Sequence, residues 1–280
     1  MRHILLVVLI LLSSAFAIAG DRQRLDSLFA PSVGRTMKYL VLLPAERDPG
    51  KRYPVLFLLH GLYGNHTDWT SRTRLAEYSG SLPILIVMPD AENSWYTNAW
   101  NDTLGRFEDF IARDLPSEVA NKYGADTSCQ AIAGLSMGGY GALKIGLKYP
   151  QKFFFAAGLS SAISVPREYD DRAKSNASGV MIESLRKAFG GGSTSFLAAN
   201  DVLSLAGVVR GKLPFFYMVH GVGDGYAAFL PAHRVLAETF RSRNIPYEYH
   251  EVQGEHSWVF WDREIQPVLH RLMELLPSAK

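Results

Sequence analysis

The stretch Cys129-Gln-Ala-Ile-Ala-Gly134-Leu-Ser136-Met-Gly138-Gly-Tyr-Gly-Ala142 decides the fold of this chain. Its first five residues are mostly small or apolar and predict a buried strand, and a helix-like pattern follows the serine at once. Gly134-Leu-Ser136-Met-Gly138 matches G-x-S-x-G, the nucleophile elbow, in which a tight strand-to-helix turn exposes a serine hydroxyl to a base. An incidental serine in a glycine-rich turn is the alternative, but the strand before it and the helix after it favour the elbow.

Composition limits the class of protein. The chain has 280 residues, 48% of them hydrophobic and 20% charged, which indicates a globular core. No shift in composition marks a boundary, so we expect a single domain over residues 20–280. A net charge of +2 is too small to argue for a nucleic-acid partner or an anionic membrane. Cys129 is the only cysteine and lies in the strand before the serine, where a buried thiol acts as a small hydrophobe.

Residues 1–19 have the pattern of a cleavable signal peptide. A short basic start, Met1-Arg-His3, precedes the apolar run Ile4–Leu12, and small residues then offer cleavage after Ala17 or Ala19. An uncleaved membrane anchor is the alternative. Even when the small residues up to Ala19 are included, the largely apolar stretch that begins at Ile4 is short for a span of about 20 residues. We therefore expect a secreted or periplasmic protein with no stable membrane anchor.

Apolar runs and their spacing predict an α/β fold. A helix is expected over 106–123, where Pro116 predicts a kink or break, and a second helix is expected directly after Ser136. Two more helices are expected over 226–243 and 261–276. Alternation of strands and helices predicts a mostly parallel central sheet of about eight strands with helices on both faces. The polar stretch 162–212 has helical fragments and no convincing strand, so it predicts a helical insertion or lid over the site. Strands are expected at 27–29, 38–43, 54–59, 84–88, 129–133, 153–159, 215–219 and 247–252.

Three side chains that suit nucleophilic catalysis lie in loops directly after predicted strands: Ser136, Asp224 and His256. Catalytic groups collect at the carboxyl ends of strands in parallel sheets. A serine hydroxyl needs an adjacent base to remove its proton, and that histidine needs an acid to orient it. The order serine, acid, histidine is the one found in α/β-hydrolases. The three residues are therefore the candidate catalytic triad.

Other acids and bases fit less well. Asp90 ends the wrong strand for this order, Asp201 lies inside the insertion, and Asp262 follows the histidine. His220 is the main competitor as base, but a histidine that closes a strand is usually a satisfied core residue. No histidine-rich spacing suggests a metal site, and no cofactor is expected.

An ester-cleaving serine also needs donors for the oxyanion that develops on the substrate. The candidates are the backbone N–H groups of Met137, next to the serine, and of Leu62 in the loop that follows the strand 54–59. His60, at the start of that loop, is expected to pack beneath it. An aromatic loop near the predicted site could line an acyl or aryl pocket or could be structural; its candidates are Trp95, Tyr96 and Trp100.

Three segments together resemble the esterase D family: Leu58-Leu-His60-Gly-Leu-Tyr-Gly64-Asn65 with Asp68-Trp69, Gly134-Leu-Ser-Met-Gly-Gly-Tyr-Gly141, and Gly254-Glu-His256-Ser-Trp258 with Trp261. This family includes S-formylglutathione hydrolases, tributyrin-type carboxylesterases, feruloyl and acetylxylan esterases, and mycolyltransferases. The resemblance covers roughly Lys38 to Leu276. It implies an α/β-hydrolase fold with Ser136, Asp224 and His256 as triad and Leu62 and Met137 as oxyanion donors.

Together with the signal pattern of residues 1–19, the resemblance implies an exported serine carboxylesterase that hydrolyses small-molecule esters through an acyl-enzyme. Met88-Pro-Asp90 with Ser94-Trp-Tyr-Thr97 is most similar to the tributyrin-type branch, and the signal segment disfavours a cytosolic glutathione-ester role. The alternatives among enzymes are an acyltransferase and a polysaccharide or feruloyl-type esterase. The alternative from another class is a catalytically silent binding protein on an esterase scaffold.

Overall fold

An eight-stranded sheet forms the centre of the protein in the computed structural model, which describes residues 22–48, 50–167 and 179–277. The sheet order is β1-β2-β4-β3-β5-β6-β7-β8; β1 pairs with β2 and β2 with β4 antiparallel, and the remaining pairs are parallel. This confirms the predicted mostly parallel sheet. The expected signal segment 1–19 and residues 168–178 of the expected insertion lie outside the described residues. The strands are β1 Gln23–Ala30, β2 Arg35–Leu42, β3 Tyr53–Leu59, β4 Leu85–Pro89, β5 Ala125–Leu135, β6 Phe153–Leu159, β7 Phe215–Gly221 and β8 Tyr247–Val252.

The continuous apolar sequence of β3 is explained by two cores, one on each face of the sheet. Phe57 and Leu59 belong to one core cluster, and Leu56 and Leu58 belong to the other. Successive side chains of a strand point to opposite faces. In a strand covered on both faces, every side chain is therefore buried and the sequence is continuously apolar. Helices supply both covers, as the sequence predicted.

The helices differ widely in length, from single turns to more than four turns. In chain order they are α1 Asp68–Arg72, α2 Leu75–Tyr78, α3 Phe107–Asp109, a π-helical segment Phe110–Asp114, α4 Leu115–Tyr123, α5 Met137–Lys148, α6 Val180–Phe189, α7 Thr194–Ala198, α8 Val202–Val208, α9 Phe229–Ser242 and α10 Trp258–Glu274. In α5 every residue from Met137 to Leu147 is buried. The helix that begins after Ser136 is therefore an internal element with no free face.

The break predicted at Pro116 appears one turn earlier as the π-helical segment between α3 and α4. Proline has no N–H, so the carbonyl of Ala112, four residues before it, lacks its normal helical donor. The Lys152 ammonium donates to that carbonyl at 2.7 Å instead. The wider turn places the helix break where a side chain from another element satisfies the backbone.

The segment between β6 and β7 carries α6, α7 and α8, and its described residues contain no strand. Helix α6 is amphipathic: Ser184, Leu185, Ala188 and Phe189 are buried. This helix packs its apolar face on the protein near the aromatic loop 94–100.

Candidate active site

Ser136 lies at the sharp turn between β5 and α5. Its backbone has φ 52° and ψ −115°, a conformation that costs about 1–3 kcal/mol for a residue with a side chain. A Cβ atom on Gly138 would lie 2.6 Å from the carbonyl oxygens of Leu59 and His60, so the turn needs glycine there. The Ser136 N–H donates to the Leu159 carbonyl at 2.9 Å, which fixes the turn to β6.

The structure brings the three predicted triad side chains together. Ser136 Oγ lies 3.0 Å from His256 Nε2, and His256 Nδ1 lies 2.7 Å from Asp224 Oδ2. An ionised carboxylate can only accept, so His256 carries its proton on Nδ1 and presents the lone pair of Nε2 to the serine hydroxyl.

Asp224 is held in its charged form. Burial raises the pKa of this carboxyl, but hydrogen bonds from His256 and from the Tyr226 N–H lower the pKa by more. The net pKa therefore lies below the ordinary value. The side chain is 1% exposed. The negative charge is therefore buried behind the histidine and is compensated by donors rather than by water.

Aromatic rings hold the His256 imidazole in place. Tyr226 and Trp261 meet it edge-on at ring-centre distances of 4.7 and 5.0 Å, and Phe229 lies at 5.9 Å. The His256 side chain is 16% exposed. The imidazole can therefore reach a ligand in the cleft while its ring plane is fixed by packing.

His220, the competing base, lies behind Asp224 and not beside the serine. Its Nε2 is 3.6 Å from Asp224 Oδ2, and neither ring nitrogen has a hydrogen-bond partner among the described residues. The expectation of a satisfied core histidine is therefore wrong, since the ring is buried but its polar atoms are not paired. His233 packs on it at 4.8 Å and donates from Nδ1 to the Phe229 carbonyl. Burial lowers the pKa of both histidines, that of His233 to about 3.

The loop after β3 forms a tight turn that leaves one N–H free. The Gly64 N–H donates to the Gly61 carbonyl at 3.1 Å, and Tyr63 has φ 67°, as in a type II turn. The Tyr63 N–H is already used, because it donates to Asn93 Oδ1 at 2.7 Å. Within the described part of the chain, the N–H groups of Leu62 and Met137 donate to no acceptor. Both predicted oxyanion donors are therefore available.

His60 supports this loop from below, as expected. The Ala91 N–H donates to His60 Nε2 at 3.0 Å, so the proton is on Nδ1, which donates to the Gly61 carbonyl at 2.7 Å. Burial lowers the pKa of His60, so the ring stays neutral in this role. The Tyr96 hydroxyl donates to the His60 carbonyl at 2.9 Å.

The three candidate aromatic residues have different positions. Trp95 is 2% exposed and lines a cleft of about 320 Å³ that also contains Ser136 and His256. Tyr96 is buried and supports the His60 loop, and Trp100 contacts Phe196 at 5.0 Å outside the cleft lining. Tyr96 and Trp100 were therefore wrong as pocket residues, because one faces the core and the other faces the insertion.

The rival acids have structural partners. Asp90 pairs with His66, Asp201 pairs with Arg167, and Asp262 accepts from Tyr78.

Burial raises the pKa of the Cys129 thiol to about 11, so no thiolate competes with the serine. No group of three or more His, Cys, Asp or Glu side chains among the described residues could hold a metal ion. No helix in the same part of the chain is long and apolar enough to cross a membrane.

Comparisons with known proteins identify the family of the chain. The chain matches the model of the Esterase family, described as "Putative esterase", over residues 30–272. It is 27% identical over 259 residues to an acetyl esterase of Caldicellulosiruptor saccharolyticus, covering 85% of this chain and 93% of that protein. It is 32% identical over 244 residues to an esterase of Mycobacterium tuberculosis, covering 77% of this chain and 51% of that protein, about half of its length.

The fold is similar to a solved S-formylglutathione hydrolase of Agrobacterium tumefaciens. The TM-score is 0.77 at 20% sequence identity, covering 91% of this chain and 95% of that one. The family model spans most of the chain and includes the strand-end loops that carry Ser136, Asp224 and His256. The resemblance to esterase D relatives is thereby confirmed, and the chain belongs to the Esterase family of α/β-hydrolase-fold enzymes.

Proposed function

We propose that the protein is an exported serine carboxylesterase that hydrolyses small acyl esters through an acyl-enzyme. The observation that carries this proposal is the hydrogen-bonded series Ser136–His256–Asp224 at the wall of one cleft. Membership of the Esterase family and the acetyl esterase relative support it.

Acylation begins at Ser136 Oγ. His256 Nε2 accepts the hydroxyl proton as the oxygen attacks the ester carbonyl carbon, and the carbonyl oxygen becomes an oxyanion. The N–H groups of Leu62 and Met137 donate to that oxygen, and each such donor contributes about 3 kcal/mol to the transition state. Asp224 keeps the Nδ1 proton in place and stabilises the imidazolium that forms.

The end of acylation and the deacylation that follows use the same groups. His256 returns its proton to the oxygen of the leaving alcohol as the C–O bond breaks, which leaves the acyl group on Ser136. A water molecule then gives a proton to His256 Nε2 and attacks the acyl carbon. As the second oxyanion collapses, the bond between the acyl carbon and Ser136 Oγ breaks, His256 Nε2 returns its proton to Oγ, and the acid is released.

The cleft suits a small ester. Its volume of about 320 Å³ is at the lower end of the range of small-molecule sites. Met181 of α6 contributes to its lining, which supports a role of the insertion 162–212 as a lid.

The signal pattern in residues 1–19 supports export, and the N-terminus of the exported protein is then expected at Ile18 or Gly20. Recovery outside the cytoplasm of a chain that starts at Met1 would contradict cleavage.

The nucleophile is tested with p-nitrophenyl acetate and a fluorophosphonate probe. We expect Ser136→Ala to lower kcat by at least about 10⁴-fold and to abolish labelling, because no other serine hydroxyl in the described part of the chain is hydrogen-bonded to a histidine. Ser195→Ala, a change at an exposed serine of α7, is the matched control and should keep both. Labelling that persists in Ser136→Ala would sink the assignment, and circular dichroism checks that the variant is folded.

A further inference from the structure

A second cavity lies near the catalytic cleft, and its lining includes Ser184, which the Trp95 side chain contacts. It has a volume of about 260 Å³ and is bounded by α6 and by the loop 92–107. Its mouth carries the exposed charged side chains Glu183 and Lys187, whereas Ala188 and Phe107 are buried in its wall. None of these residues belongs to the lining of the catalytic cleft.

The Trp95 side chain, here called the partition, contacts the linings of both spaces. Its ring lines the catalytic cleft, and its Nε1–H donates at 2.9 Å to the hydroxyl of Ser184, which lines the second cavity. The Ser184 hydroxyl in turn donates to the Met181 carbonyl at 2.7 Å. Tyr140 of α5 packs edge-on against the indole at 6.2 Å. The partition is thus held by α5 on one side and by α6 on the other.

The backbone under this partition is strained. Trp95 and Tyr96 have consecutive positive φ values of 54° and 49°, which cost free energy for residues with side chains. The Tyr96 hydroxyl bond to the His60 carbonyl and the Lys144 bond to the Tyr96 carbonyl, at 2.8 Å, hold the loop in this conformation. The strained turn thus places the indole in the lining of the catalytic cleft, with its Nε1–H toward Ser184 of α6.

The two parts of an ester substrate occupy different parts of the cleft. His256 gives its proton to the leaving alcohol, so the leaving group lies on the side of His256 and of the rings packed on it. The acyl group must then occupy the remaining part of the cleft. Leu62, Trp95, Ala162 and Met181 belong to the cleft lining and are not among the rings packed on His256.

We propose that Trp95 is a specificity-determining residue that ends the acyl subsite and keeps acyl chains out of the second cavity. This proposal rests on the proposed esterase function and names its substrate class as short-chain acyl esters. Removal of the indole joins the two cavities, and an acyl chain can then extend past Ser184 toward Phe107 and Ala188. Each methylene that leaves water for such a wall adds a factor of about four to kcat/KM.

The test measures kcat/KM for p-nitrophenyl acetate, butyrate and octanoate. In Trp95→Ala we expect the ratio of octanoate to acetate to rise at least about tenfold over wild type, because up to four further methylenes become buried. Trp95→Phe keeps a ring in place and should keep the wild-type ratio. A ratio that is unchanged in folded Trp95→Ala would overturn the proposal.

A double variant shows where the chain goes. Ala99 lines the second cavity and not the cleft, so Ala99→Leu alone should leave the chain-length ratio unchanged. In the background of Trp95→Ala, the leucine should fill the space and cancel the gain on octanoate. A gain that survives in the double variant would show that the chain takes another route, which contradicts the proposal.

The two proposals fail in different ways. If wild-type protein hydrolyses none of the three esters, the esterase function itself is wrong. If wild type and Trp95→Ala hydrolyse acetate through Ser136 but share one chain-length ratio, only the role of Trp95 is wrong. If Trp95→Ala does not fold, Trp95→Leu repeats the test with a smaller opening and the same expected direction.

Discussion

Asp224 carries a negative charge inside the protein, and the groups around its carboxylate decide how well it can serve His256. Oδ1 accepts from the Tyr226 N–H at 2.9 Å and Oδ2 accepts from His256 at 2.7 Å. His220 Nε2 lies 3.6 Å from Oδ2, beyond normal hydrogen-bond distance but close enough for its dipole to stabilise the charge. His220 is therefore a positioning residue for the proposed triad.

We expect His220→Phe to lower kcat about threefold to tenfold with little change in KM, because one favourable dipole near the carboxylate is lost. The pKa of Asp224 should rise toward its ordinary value, since His220 is one of the groups that lower it. The loss of activity that comes from protonation of Asp224, which in wild type lies below about pH 4, should therefore begin at a higher pH in the variant. A pH–rate profile with p-nitrophenyl acetate measures both effects.

His220→Gln is the matched variant for this prediction. Glutamine retains an N–H donor of similar reach, so it should recover most of the activity and most of the acid limb of the profile. A purely structural role of His220 predicts instead that the phenylalanine and glutamine variants lose activity without any shift of the profile. That result, or a phenylalanine variant equal to wild type, would contradict the assignment.

The sequence could predict the positions of Ser136, Asp224 and His256, because loops at the carboxyl ends of parallel strands share one edge of the sheet. It could not predict the surroundings of the individual rings. Tyr96 and Trp100 lie in an irregular loop, where no periodicity indicates which side chain faces the core. His220 is four residues before Asp224, and only the folded structure shows that its ring turns toward the carboxylate.

At the scale of elements, a buried ion pair connects α5 to the loop that carries Trp95. Lys144 is fully buried, and its ammonium lies 3.1 Å from Glu108 and donates to the Tyr96 carbonyl at 2.8 Å. Burial lowers the pKa of Lys144, and the Glu108 carboxylate opposes that effect. Burial raises the pKa of Glu108, but Lys144 and Lys148 lower it more. The helix that begins after the serine and the aromatic loop therefore share one charge cluster.

We expect Glu108→Gln to lower the free energy of unfolding by about 3–5 kcal/mol, because it leaves the Lys144 charge buried without its counter-ion. Urea denaturation followed by circular dichroism measures this loss. Glu238→Gln, in a surface pair with Arg241 on α9, is the control and should change stability little. Equal effects of the two variants would show that the buried pair does not hold the elements together.

Element types were predictable and their connections were not. The apolar run of β3 indicated a strand covered on both faces, whereas no pattern indicated that β4 pairs between β2 and β3. Lys144 looks like a solvent-facing position in a helical pattern, because periodicity counts apolar residues and contains no information on a distant Glu108. The π-helical segment depends on Lys152, which is far from Pro116 in the chain.

Buried histidines also determine how the whole molecule responds to acid. Burial lowers the pKa of His60, His220 and His233. Just below about pH 6.5 these histidines are therefore neutral in the folded protein but protonated in the unfolded chain. Their contribution to stability is present above that pH and is lost as the pH falls toward the folded pKa. The lowered pKa of Asp224 acts only below about pH 4, so it does not contribute to the same window.

We therefore expect the free energy of unfolding to fall between pH 7 and pH 5.5. His233, with a pKa of about 3, accounts for about 1.3 kcal/mol of that loss, because at pH 5.5 the unfolded histidine is protonated and the folded one is not. His233→Asn keeps a donor for the Phe229 carbonyl and should remove this part of the pH dependence. His270→Asn, at an exposed position of α10, should leave it unchanged. Urea denaturation at the two pH values measures the difference, and a His233→Asn variant as acid-sensitive as wild type would show that its imidazole is protonated without unfolding.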